Sequence, residues 1–455
     1  MRNIIFLVVL YFAAAVYAQT DAPLGVCAHL QGGSEYRQMP QNLELMYNAG
    51  FRLVRTDFSW SRIEPEKGTW KFDTHDDIVK QTQQNGLQIL GLLIDHGVDW
   101  AAPAHQHLDD WLEYVEKTVR RYKDSIRYWE VWNEPNIERF WRYPSGKDYA
   151  TLLSATYKKI KEIDPGITVL SAGTALLPMK FIEEMLQEQA SNSFDVFCIH
   201  PYRAGFRSMT LSSRFGNDIK QLQTLLTKYN GGKPKRIWIT EMGFPTPPLT
   251  SGISRNVSGL LKQAGIDGRE IKTAALPASV QAAAGAANIL NTFMVHDVFA
   301  SEEEQAVYAP QAILLSLRFG IEKFIWYELQ APEDDNIDPE EHFGLTHRDL
   351  KPKPAYHSVT ALGKFIADGV AIDTKTDWQQ HGCCVVHWTH KDGTPVWAVW
   401  SPDGEKNIAV KIGSGLKGVF DVFGKPVPVN LPEQSLPVSP KILYLVGAET
   451  LSILH

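Results

Sequence analysis

The sequence predicts an α/β protein: a (β/α)8 TIM barrel followed by a C-terminal all-β sandwich. Three observations carry the prediction. Eight short apolar runs alternate with amphipathic stretches over residues 19–365, two of these runs lead into a glutamate, and the texture then changes to short strands joined by hairpin turns over 366–455.

The eight runs are Leu24 to Leu30, Leu53 to Phe58, Leu87 to Ile94, Ile126 to Trp132, Thr168 to Ala172, Phe194 to His200, Arg236 to Thr240 and Lys323 to Leu329. Each is nearly continuous in apolar residues, as expected of parallel strands covered on both faces. Between them the spacing turns helical. Leu108, Trp111, Leu112, Val115, Val119 and Tyr122 form one stripe, and Leu152, Leu153, Tyr157, Ile160 and Ile163 another, which Asp164-Pro165-Gly166 ends. A doubly wound open sheet is the rival fold, but no Gly-rich phosphate turn follows any of the runs. In a closed barrel, chemistry gathers at the C-terminal ends of the strands.

From about Asp373 the turns Lys391-Asp392-Gly393-Thr394 and Ser401-Pro402-Asp403-Gly404 separate three short strands, the mark of a small sandwich. The polar, Pro-containing stretch Thr346 to Pro354 reads as the link between barrel and sandwich. A long insertion, Phe244 to about Ala278, follows the seventh run, and an acidic loop, Pro332 to Glu341, follows the eighth.

The 455 residues are 44% hydrophobic and 21% charged, which is globular composition, and the net charge of −7 leaves no basic footprint for nucleic acid. Residues 1–18 read as a secretory signal peptide, with Arg2 ahead of an apolar stretch and Val16-Tyr17-Ala18 as the cleavage site. The expected location is therefore secreted or periplasmic, with no membrane insertion once the leader is removed. The four cysteines lack framework or metal spacing and read as buried free thiols. Asn256 to Ser258 is an N-glycosylation sequon, relevant only in a eukaryotic source. The 13 tryptophans are an excess to be explained, since the indole face suits both core packing and sugar stacking.

The fourth run ends in Trp129-Glu130-Val131-Trp132-Asn133-Glu134-Pro135-Asn136, and the seventh in Ile237-Trp238-Ile239-Thr240-Glu241. One glutamate closing an apolar strand could simply be paired with a rim arginine. Two, on strands facing each other across one barrel mouth, favour chemistry. Opposed carboxylates, one protonated and one ionised, are what glycosidic bond hydrolysis requires.

Trp-Asn-Glu-Pro on the fourth strand with Ile-Thr-Glu on the seventh resembles the retaining glycoside hydrolases of clan A, most of all family 39, with family 5 close behind. The resemblance covers Gly25 to about Tyr356. It implies Glu134 as acid/base, Glu241 as nucleophile, Asn133 on the sugar 2-hydroxyl, Arg55 beside the nucleophile and Tyr202 hydrogen-bonded to it. On this reading a cation and a phenol keep Glu241 ionised, while Glu134, without such partners, holds its proton. It further implies His96 on a sugar hydroxyl and Trp326 as a sugar platform.

Alternatives stay open at several of these positions. Arg55 could instead pair with Asp57 or Glu64, and His200 could be either a site residue or a satisfied core histidine. Trp60, Trp100 and Trp141 could be stacking surfaces or loop packing, with one or two of the three expected to face ligand. Asp334, Asp335 and Asp338 read as a solvated acidic rim, for they lack the glycine and terminal glutamate of a calcium loop. No cofactor or metal is expected, and the expected partner is a poly- or oligosaccharide. A non-catalytic carbohydrate-binding protein and a transglycosylase are the competing functions.

Overall fold

The structure, a computed structural model, describes residues 22–454 apart from 96–97, 189, 203–208, 247–299, 334–338, 368, 376, 378 and 429–434. Residues 1–18, expected to be a signal peptide, and His96, the sequon, most of the 244–278 insertion and Asp334 to Asp338 lie outside the described residues.

Nine parallel strands form one sheet: β1 (Leu24–Cys27), β2 (Leu53–Ser59), β3 (Gln88–Ile94), β4 (Tyr128–Val131), β5 (Thr168–Leu170), β6 (Thr174–Ala175), β7 (Val196–His200), β8 (Arg236–Met242) and β9 (Lys323–Trp326). Each of the eight predicted runs overlaps one of them. The Leu170 to Val196 pairing joins β5 to β7 and closes the ring, leaving the two-residue β6 on the rim. The barrel is therefore eight-stranded, as its sequence periodicity requires.

Alternation along the strands sorts side chains into two layers. Cys27, Leu53, Leu90, Tyr128, Leu170, Val196, Cys198, Trp238 and Ile325 fill the barrel interior as the floor beneath the mouth. Val54, Trp129, Val131, Ile239, Phe324 and Trp326 point outward into the cluster shared with the helices. Helix Leu108–Tyr122 buries Trp111, Val115, Val119 and Tyr122 there. Helix Gly146–Ile163 is capped by the Ser145 hydroxyl, which accepts from Asp148 N at 3.2 Å.

One boundary differs from expectation. Residues 346–354 do not link barrel to sandwich; Thr346 bridges Gln330 and Pro352, and the segment leads into the last barrel helix, Pro354–Ile366. Proline at the first helical position suits a helix start, so a Pro-rich stretch marked an N-terminus rather than a linker.

Beyond that helix stand β10 (Val370–Ile372), β11 (Gln379–Gln380), β12 (Cys383–His390), β13 (Pro395–Trp400), β14 (Lys406–Ile412), β15 (Gly418–Phe420), β16 (Ser435–Val438), β17 (Leu443–Val446) and β18 (Leu451–Ile453). They pair antiparallel into a six-stranded sheet, containing β10, β11, β12, β13, β15 and β17, and a three-stranded sheet of β14, β16 and β18. Cys383, Val385, Trp397, Val399, Val410 and Leu445 pack between the sheets. Cys384, Val386, Trp388, Trp400 and Tyr444, on the opposite face, join the barrel's cluster. All four cysteines are buried and free.

Candidate active site

Glu134 and Glu241 reach the barrel mouth by two different backbone devices. After β4, Trp132 and Glu134 take left-handed φ values of 76° and 43°, and Glu134 N donates to Gly173 O at 3.0 Å, so the chain leaves the sheet with the carboxylate turned inward. On β8 the register against β9 shifts: Ile239 faces Phe324 and Met242 faces Trp326, three steps against two. This bulge puts the consecutive residues Thr240 and Glu241 on the inner side, while Ile239 and Met242 both point outward. The two glutamates and His200 each present a ligand atom, and these atoms all lie within 4.8 Å of one another.

Arg55, from β2, is the centre of the network. Its Nη1 donates to Glu241 Oε1 at 2.5 Å, its Nε to Glu130 Oε2 at 2.6 Å, and its Nη2 to Asn133 Oδ1 at 2.9 Å. Buried charges persist only when paired in this way. Tyr202 Oη donates to Glu241 Oε2 at 2.9 Å. Burial alone would push the Glu241 carboxyl up, but His200, Arg55 and the Tyr202 hydroxyl outweigh it and hold the group below the usual carboxylate value. The fully buried His200 bridges Glu134 Oε1, at 2.9 Å from Nδ1, and Thr240 Oγ1, at 3.0 Å from Nε2. Burial lowers its pKa, yet Glu241 and Glu134 more than reverse that, so the net shift is upward. Gly173 is required beneath the ring, because a Cβ there would lie 1.9 Å from His200 Nε2.

The structure thus brings Arg55, Asn133, Glu134, His200, Tyr202 and Glu241 together. The alternative partners proposed for Arg55 are used elsewhere: Asp57 meets His29 Nδ1 at 3.0 Å, and Glu64 takes the Trp60 indole at 2.8 Å. Glu134, expected from sequence to lack such partners, is instead held by His200.

Three tryptophans are corrected. Trp60 is fully buried, boxed by Trp100, Trp111 and Tyr114, so it offers no face to a ligand. Trp141 is also buried, stacked on His105 and edge-on to Trp132. Trp326 is fully buried against Phe244 and Phe324, because it follows the outward parity of β9. The inward positions are Ile325 and Tyr327, and Tyr327 packs near Tyr202 and Phe343 at the mouth. A one-residue step in a strand decides the face.

The sequence reading missed Glu130, Thr240, His29 and Glu328. Glu130 carried a usable signal, an acid at the inward position of an apolar strand. Glu328, buried beside His29 Nε2 at 3.7 Å, has both carboxylate oxygens without a hydrogen-bond partner among the described residues. Burial, only partly offset by His29, pushes its carboxyl well above the usual range.

Glu134, His200 and Glu241 are close enough to share a cation, but a metal there would sit against the Arg55 guanidinium and displace the hydrogen bonds His200 already makes.

The closed parallel barrel followed by antiparallel sheets is a fold shared with solved glycoside hydrolase structures. A family 39 glycoside hydrolase from Bacteroides cellulosilyticus WH2 superposes with a TM-score of 0.70 at 20% identity, over 94% of this chain and 81% of the other. A family 39 beta-xylosidase from Caulobacter crescentus gives 0.60 at 14% identity, over 94% and 96%. The fold is that of family 39 structures. In sequence, a family model described as beta-galactosidase, glycoside hydrolase family 42, matches residues 33–91. Coniferin beta-glucosidase of Pinus contorta is 29% identical over 116 residues, 23% of this chain and 22% of the relative. Beta-xylosidase of Geobacillus stearothermophilus is 36% identical over 58 residues, 12% of each. The chain spans about a fifth of the length of the first of these relatives. The matched relatives are glycosidases.

Proposed function

We propose that this chain is a retaining glycoside hydrolase acting on β-glycosidic bonds of a poly- or oligosaccharide, with Glu241 as nucleophile and Glu134 as acid/base. The observation that carries the proposal is the approach of the two carboxylates, whose facing oxygens lie within 4.8 Å. Retaining enzymes hold their carboxyl groups about 5 to 5.5 Å apart, whereas inversion needs about 6.5 to 9.5 Å to admit a water. The names of the glucosidase and xylosidase relatives support the β-linkage.

In the first step Glu241, ionised by Arg55 and Tyr202, attacks the anomeric carbon while the leaving oxygen takes a proton from Glu134. In the second, Glu134 removes a proton from water, which displaces Glu241 with net retention. Asn133 accepts from Arg55 through Oδ1, so its amide N–H groups are left to donate to the sugar 2-hydroxyl. We also read residues 1–18 as an export signal, which places the activity outside the cytoplasm.

The test is a screen of β-linked oligosaccharides with mass detection, followed by substitution. Glu241→Gln should lower turnover by roughly 10³-fold or more. Glu134→Gln should cost most on substrates whose leaving group needs a proton. Early products should keep their anomeric configuration by NMR. Inverted products, or normal turnover by Glu241→Gln, would sink the mechanism, and tight sugar binding without any product would favour a binding protein.

A further inference from the structure

We propose that Thr240 and Glu130 are positioning residues that fix the His200 proton on Nε2, and so make the Glu134 and His200 pair retain its transferable proton to higher pH. The inference rests on the glycosidase reading for its consequence, but its geometry stands apart from it.

Among the described residues, every group hydrogen-bonded to the Glu130 carboxylate is a donor: Arg55 Nε at 2.6 Å, Arg55 Nη2 at 3.4 Å, Gly173 N at 2.9 Å and Thr240 Oγ1 at 3.0 Å. The single hydroxyl hydrogen of Thr240 is therefore spent on Glu130, a carboxylate being a better acceptor than the nearby Cys198 sulfur. What Thr240 offers His200 Nε2 at 3.0 Å is a lone pair. Nε2 must carry a hydrogen, and the neutral ring then points the Nδ1 lone pair at Glu134 Oε1, 2.9 Å away.

The pair can hold one further proton, on Oε1 or on Nδ1, or none. Without it, the Glu134 carboxylate faces a lone pair, an unfavourable contact that resists deprotonation. Were the ring free to adopt the Nδ1–H tautomer, it would donate to the carboxylate and stabilise the state that has lost its proton. The other groups facing His200 are Glu241 Oε2 at 3.7 Å from Nδ1, Glu130 Oε1 at 4.0 Å from Nε2, the Arg55 guanidinium and the Tyr202 ring at 6.5 Å. Tyr202 also faces Glu134, and burial holds its phenol well above the usual range, so it remains a neutral donor.

Two measurements test this. Histidine ¹⁵N NMR of the whole protein, with the His200 signals identified by their loss in His200→Asn, should report the Nε2–H tautomer once the ring is neutral; a neutral Nδ1–H ring overturns the proposal. This readout needs no activity, so it separates failure of the relay from failure of the glycosidase reading. In kinetics on a β-linked disaccharide, Thr240→Val should move the alkaline limb of kcat/KM down by roughly one pH unit, the size of one lost hydrogen-bond preference. Thr240→Ser, which restores the hydroxyl, should return it. An alkaline limb that stays in place in folded Thr240→Val also overturns the proposal, since a merely structural threonine would change stability or kcat without moving the limb.

Discussion

Tyr202 makes one of the contacts that keep Glu241 ionised, and its contribution can be read separately from the rest. Because the Glu241 pKa is depressed, this proposed nucleophile should stay charged down to a lower pH than an ordinary glutamate, and the acid limb of kcat/KM should be displaced downward. Tyr202→Phe removes the hydroxyl 2.9 Å from Oε2 and leaves the ring. The acid limb should then rise by up to about one pH unit, the equivalent of one hydrogen bond to the charged form. A pH profile with an unmoved acid limb would show that Arg55 and His200 suffice. At this scale much of the site was legible. Asn133, Glu134 and Glu241 sit in short motifs, and the family resemblance implied Arg55 and Tyr202 beside Glu241. What the residues alone left open was the partner of Arg55: that it turns to Glu130 and Glu241 rather than to Asp57 or Glu64 depends on which strands adjoin in the closed ring.

At the scale of elements, the strands were legible because apolar runs bounded by polar turns have few other uses, but the irregularities that make the site were not. Nothing in Ile239-Thr240-Glu241-Met242 announces a bulge, and without it strict alternation would send Glu241 outward. The same ambiguity of one residue misplaced Trp326. Helix Asp73–Gln84 carries a further consequence of packing. It buries His75 against Phe58, ring centroids 4.9 Å apart, and burial lowers the His75 pKa from 6.5 to about 4. A histidine kept neutral in the fold is protonated more readily in the unfolded chain, so stability falls as pH drops through the interval from 6.5 to about 4. The full loss is about 3 kcal/mol at the low end. His75→Met, of similar bulk and without a titrating group, should flatten that part of the stability curve in urea unfolding at a series of pH values. An equally steep acid loss in the variant would place its origin in other groups.

For the molecule as a whole, the sandwich was legible from its hairpin turns, but the partner of each of its faces was not. Trp388 lies on β12 and Trp397 and Trp400 on β13, yet only Trp397 packs between the sheets. Trp388 and Trp400 turn the other way, with Trp388 Nε1 donating to Phe365 O at 3.2 Å in the last barrel helix and Tyr444 meeting the Phe365 ring at 5.0 Å. Gln311 adds a hydrogen bond to Pro440 O at 2.6 Å. One buried apolar cluster therefore runs from the barrel helices into the sheet, and neither part can expose that face without losing it. The expected outcome is a single cooperative unfolding transition for the chain, in place of the two that independent domains would give. Trp388→Ala removes a fully buried indole from the seam and should cost about 3 to 5 kcal/mol. Calorimetry distinguishes the possibilities. If barrel and sandwich are coupled, the wild type melts once and the variant splits into two transitions or melts once at lower temperature. A wild type that already melts in two steps, with Trp388→Ala shifting only the sandwich step, would mean that the shared cluster does not bind the two parts into one folding unit.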